Sequence, residues 1–120
     1  MRQIRQGDVL LIRVDDGTTI DTEGEHDRDQ HGRLVLAYGE ASGHAHAIRA
    51  KHVSARRVKA EASALVADLL LEVRGKSCNL RHEYADGRQA DHDTVRLDPG
   101  RYLVRRQREH SPAGERTVSD

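Results

Sequence analysis

The sequence predicts a mostly β, single-domain protein: a small barrel or sandwich of six to eight short strands with at most one short helix. Three observations carry this expectation. Short runs rich in Val, Leu and Ile recur at spacings of about 8–15 residues, each bounded by Gly, Asp or Pro. The turn formers Asp86-Gly87 and Asp98-Pro99-Gly100 stand between such runs. A chain of 120 residues with no Phe, no Trp and three Tyr has aliphatic material for one thin core, so residues 1–120 are expected to form one domain.

The elements follow in order. Asp8 to Val14 (DVLLIRV), opened by Gly7 and closed by Asp15-Asp16-Gly17, is the expected first strand. Asp15 to Asp29 carries seven acids against the single Arg28, which predicts a solvated acidic loop over about 15–31. Leu34 to Tyr38 is the next strand, and Gly39 and Gly43 punctuate the passage into a third at His44 to Ile48. Val53 to Val58 makes a fourth. Lys59 to Val73 reads two ways, because Ala and Glu favour helix while LLLEV suits a buried strand. It is divided into a helical turn or short helix and then a strand from Leu69. Cys78 to Tyr84 and Thr94 to Leu97 flank Ala85 to Asp91, with Asp86-Gly87 marking a hairpin. Arg101 to Gln107 is the last strand, followed by a polar tail over about 110–120.

Charge and cysteine content exclude several classes. Twenty basic and twenty acidic residues give zero formal charge, so no global field draws the chain to nucleic acid or an acidic membrane. Cys78 is the one cysteine, which excludes a disulfide-stapled scaffold and makes a reducing cytoplasm the expected location. The N-terminal apolar run is interrupted by Arg13 and is too short for a signal peptide or a membrane span, so no membrane partner is expected.

The eight histidines are the informative residues. On a strand, His44 and His46 point the same way about 6.6 Å apart, close enough for two imidazoles to converge on one ion. His82 and His92 are the expected further ligands. If the hairpin closes through an odd loop centred on Gly87, those two residues face each other; a two-residue turn at Asp86-Gly87 would send them to opposite faces. Glu40 precedes the histidine pair and is the candidate catalytic base or carboxylate ligand. The implied cofactor is a divalent transition metal, with zinc or iron foremost: zinc, copper or nickel suits a three- or four-histidine set and ferrous iron suits two histidines with a carboxylate. A metal-dependent enzyme of hydrolase or oxygenase type is the catalytic form of this expectation.

A histidine pair on a strand of a small all-β protein resembles the cupins in architecture. RQGDVLL at Arg5 to Leu11, GEASGHAH at Gly39 to His46, His82 with His92, LDPGRY at Leu97 to Tyr102 and RQREHSP at Arg106 to Pro112 resemble a family of small, uncharacterised bacterial proteins. That resemblance implies that the glycine-histidine segment is the family's characteristic feature. It implies no activity.

A second function class rests on arginine. Arg56 and Arg57, with Arg105 and Arg106, would form one basic face if their strands were neighbours. The chain would then be a non-catalytic binding or accessory module that docks a protein or nucleic-acid partner, or a second copy of itself as a homo-oligomer.

Overall fold

Alternation of apolar side chains sorts the strands into two faces, and the sheets stack where those faces meet. A computed structural model describes residues 2–39, 43–59, 67–106, 108–111 and 114–117, the last two segments as backbone. All regular structure among them is β. The strands are β1 (Gln3–Gln6), β2 (Val9–Val14), β3 (Thr22–Glu25), β4 (Leu34–Tyr38), β5 (His44–Ile48), β6 (Val53–Val58), β7 (Leu69–Val73), β8 (Cys78–Tyr84), β9 (Val95–Leu97), β10 (Gly100–Arg106), β11 (Arg108–Ser111) and β12 (Gly114–Thr117).

Ten of them form two antiparallel sheets, one in the order β1-β2-β10-β7-β6-β3 and one in the order β4-β5-β8-β9. β11 and β12 pair with each other. Val9 and Leu11 of β2, Leu71 and Val73 of β7 and Tyr102 and Val104 of β10 join Leu34 of β4, Ile48 of β5, Leu80 of β8 and Leu97 of β9 in one buried cluster. The core therefore lies between two sheets, each of which keeps its own edge strands, and the molecule is a sandwich rather than a closed barrel. Leu11, Ile48, Leu71, Leu80 and Leu97 are fully enclosed. Each such side chain contributes about 1.5–3 kcal/mol over an exposed one, which is how an aliphatic interior suffices. Tyr102 is the one large ring inside, and its hydroxyl donates to Asp98 O at 2.6 Å.

Four strands go beyond the sequence expectation; two of them, β11 and β12, lie beside and within the expected polar tail and pair with each other. β1 is polar, yet it pairs with β2 from Gln6↔Val9 to Gln3↔Ile12. Gly7-Asp8, read from sequence as the opening of a strand, is instead a two-residue hairpin loop with Gly7 at φ 57°. Positive φ at the first loop position alone is what a type II′ turn requires. β3 lies within the expected acidic loop and pairs with the exposed edge of β6, with Glu25 opposite Arg56. Opposite charges across an edge ladder give a polar segment a reason to extend. The remaining eight strands lie where the apolar runs place them, β7 starting at Leu69. The helical turn expected before it falls mainly on residues 60–66, outside the described residues.

Leu71 occupies a central strand and is 0 % exposed. Leu71→Ala is expected to lower unfolding free energy by about 2–5 kcal/mol without changing the urea m-value, as read by equilibrium denaturation.

Candidate functional site

All five residues of β5 are buried. Ala45 and Ala47 face outward and His44, His46 and Ile48 face the second sheet, so two imidazoles enter the interior on the same side as the leucine core. On the neighbouring β8, Leu80 and His82 share the inward face. The ladder sets His46 opposite His82, and the two rings stack at 4.4 Å with 16° between planes. His44 lies edge-on to His82 at 4.4 Å, with Nε2 of His82 2.8 Å from Nδ1 of His44.

His92 reaches this group by an irregular route. Leu80 pairs with Val95 near the base of the β8–β9 hairpin, whereas Glu83 pairs with Gln89 near its tip. Three residues advance on one strand against six on the other, and the surplus forms a bulge that carries His92 inward. The loop is odd, closed by Tyr84 N donating to Arg88 O and Gly87 N donating to Tyr84 O. Its centre is Asp86, one residue before the expected Gly87, because Gly87 at φ 93° takes the last loop position. His82 thus faces Ala90 rather than His92. The bulge still brings the His92 ring within 4.8 Å of His82 and 6.2 Å of His46, and its amide donates to His82 Nδ1 at 3.0 Å.

Two residues that sequence reasoning placed in the RQGDVLL motif, without a functional role, complete the site. Gln6 and Asp8, both 2 % exposed, project from the β1–β2 hairpin of the opposite sheet. Gln6 Nε2 donates to Leu80 O and Asp93 O, each at 2.9 Å, which turns its Oε1 to His46 Nδ1 at 2.8 Å. His46 Nδ1 therefore carries a proton. Its other nitrogen, Nε2, faces Asp8 Oδ1 at 3.4 Å, while Asp8 Oδ2 accepts from Arg106 Nε at 2.9 Å. Arg106 also donates to Tyr38 O at 2.7 Å. The available signal was the QGD triplet, since two side chains astride a glycine turn at the head of an apolar strand share one location.

The structure therefore brings His44, His46, His82 and His92 together. Glu40 lies outside the described residues. Cys78 sits further along the inward face of β8, where burial pushes its thiol up to about 11 and keeps it protonated at neutral pH. Among the described residues, no three His, Cys, Asp or Glu side chains already converge as a metal cage.

On the outer face of the same sheet, Glu83 is fully buried. Arg49 Nε lies 3.0 Å from both carboxylate oxygens and its Nη2 closes a further contact, with Arg33 and Arg81 each at 3.8 Å. Arg33 is fixed by a turn: Asp29 Oδ1 accepts the amides of His31 and Arg33, and Oδ2 accepts Arg33 Nε at 2.9 Å. Burial raises the Asp29 pKa, but these amides and the guanidinium outweigh it and hold the carboxyl below its ordinary 3.8.

The arginines of the docking expectation are dispersed. β7 separates β6 from β10, and alternation places Arg57 and Arg106 on the parity of the inward residues Ala55 and Val104. Arg56 and Arg105 share the parity of Val58 and Leu103, which face the other way. Arg56 donates to Thr22 Oγ1 and Arg106 is held by Asp8. No helix among the described residues is long and apolar enough to cross a membrane.

The fold and site define an all-β sandwich domain with a histidine cluster buried between its sheets. Residues 5–107 match a family described as a domain of unknown function, DUF8820, and the chain belongs to that family. No curated protein and no solved structure matches the chain.

Because the Asp29 carboxyl is lowered, its stabilisation is complete above the ordinary value of 3.8 and is lost as pH falls through the folded value. Asp29→Ala is accordingly expected to cost about 1–2 kcal/mol at pH 7, with the gap to the parent closing in acid below the ordinary carboxylate value. Urea denaturation at the two pH values checks this.

Proposed function

We propose that the protein is a metal-binding β-domain whose ion is held between His46 Nε2 and Asp8 Oδ1. One observation carries the reading: the Gln6 amide fixes a proton on His46 Nδ1, so the nitrogen turned to the Asp8 carboxylate is the one with a lone pair to give. At 3.4 Å the two atoms are beyond an ordinary N–H···O bond. Two ligand atoms about 2.1 Å from one ion at a tetrahedral angle lie about 3.4 Å apart. A neutral histidine whose second nitrogen donates to an oriented acceptor is the usual state of a metal ligand, and Gln6 supplies that acceptor.

The His92 imidazole is the third ligand of this proposal. Its ring centre is 6.2 Å from that of His46, within the span of two imidazoles whose centres each lie about 3.2 Å from a shared ion. His82 and His44 support the site in this arrangement, since the His92 amide takes His82 Nδ1 and His82 Nε2 is turned to His44. Two histidines with a carboxylate suit zinc or ferrous iron. An ion with an open position would acidify bound water for hydrolysis or, as iron, take up oxygen, which keeps the hydrolase and oxygenase classes as the catalytic forms of this proposal.

The measurement is elemental analysis of protein purified without a histidine tag, followed by chelation and titration with zinc and ferrous iron. Stoichiometric metal is expected in the parent and its loss in His46→Ala and Asp8→Ala, with Gln6→Ala weakening affinity by about 10–100-fold. A parent that carries no metal and takes none up after chelation would overturn the proposal and leave a proton shared by His46 and Asp8 as the occupant.

A further inference from the structure

We infer that Arg106 confines Asp8 to a single ligating oxygen and so reserves an open position on the ion, an inference that rests on the metal reading of His46 and Asp8. The ladder decides where Arg106 stands. β10 pairs with β2 through Arg106↔Val9, so the last residue of β10 lies beside the hairpin loop that carries Asp8. Its side chain, on the inward parity of Val104, is held at two points. Nε donates to Asp8 Oδ2 at 2.9 Å, and Nη2 donates to Tyr38 O, at the end of β4 in the other sheet, at 2.7 Å. A guanidinium is planar, so bonds from two of its nitrogens to two separate partners fix its plane as well as its place.

The consequence falls on Asp8. This carboxylate is buried, and its two oxygens face different groups: Oδ2 meets the guanidinium, and Oδ1 meets Nε2 of His46. A charge-assisted hydrogen bond is among the stronger polar contacts a protein makes, so an oxygen held by one is not readily turned to a second cation. The guanidinium also repels any divalent ion that moves toward Oδ2. Asp8 is therefore a one-oxygen ligand. The position that a chelating carboxylate would fill stays open to water or substrate, as the catalytic forms of the metal reading require. A confining Arg106 and a merely structural one have opposite effects on affinity. If the residue only propped Asp8 in place, its loss would loosen a ligand and weaken metal binding. If it confines Asp8, its loss frees a second oxygen and removes a repelling charge, and both changes tighten binding.

The test compares the chelator-treated parent with Arg106→Leu and Arg106→Lys, each titrated with zinc against a competing chromophoric chelator and, separately, with cobalt read by visible absorption. The parent is expected to show the intense bands of four-coordinate cobalt. Arg106→Leu is expected to bind zinc at least about tenfold more tightly, with weaker cobalt bands as the coordination number rises. Arg106→Lys keeps a cation on Oδ2 and is expected to stay near the parent in both readings. Weaker or unchanged zinc binding in folded Arg106→Leu, or an unaltered cobalt spectrum there, would overturn the inference and leave the metal reading standing. Should Arg106→Leu not fold, the parent still decides, because a crystal structure of the zinc-loaded protein with both Asp8 oxygens on the ion refutes confinement, and one with Oδ2 on Arg106 supports it. A parent that takes up no metal removes the metal reading and this inference with it, so the two failures are distinct.

Discussion

The Gln6 side chain is the constraint on which the interior depends. A primary amide has two donors and one acceptor, and here the donors are committed to the carbonyls of Leu80 and Asp93 on the opposite sheet. Its oxygen is then available to His46 in a single sense. The same three bonds join the β1–β2 hairpin to β8 and to the bulge that carries His92, so one residue ties the two sheets together and sets the proton position of a buried ring. Leaving such groups unpaired in an aliphatic interior would cost about 1–3 kcal/mol each, which is why all three hydrogen-bonding positions of the Gln6 amide are used.

Hydrogen-bond direction divides the cluster into two chemical halves. On the Gln6 side, His46 Nδ1 donates to the Gln6 amide oxygen and its Nε2 faces the Asp8 carboxylate; on the His92 side, a backbone amide donates to His82 Nδ1, and His82 Nε2 is turned to His44 Nδ1. Four imidazoles a few ångströms apart are thus not chemically equivalent. The bulge between Gln89 and Val95 makes the difference, because a regular ladder would set Ala90 and its successors in register and leave no amide over His82 Nδ1.

The outer face of the small sheet solves the complementary problem of an enclosed carboxylate. Ala45 and Ala47 are too small to cover that face, and the space above them is taken by Glu83 and the arginines around it. Arg49 and Arg81 also donate to Ala85 O and Gly87 O, fixing the tip of the hairpin whose first strand holds His82. Charge on one side of β8 therefore positions histidine on the other, and alternation along a single strand links the two networks.

Apolar periodicity determined the class of fold and the location of eight strands, since a run such as LVLAY or LLLEV has one economical way to bury itself. It also determined that His44, His46 and Ile48 would share a face. β1 and β3 escaped it because polar edge strands are held by their neighbours' backbone rather than by their own side chains. The hairpin register, the arrival of His92 and the roles of Gln6 and Asp8 were decided by tertiary structure alone. These depend on contacts between residues as far apart as Gln6 and Leu80, and on the direction of each hydrogen bond, which only the completed packing of the two sheets establishes.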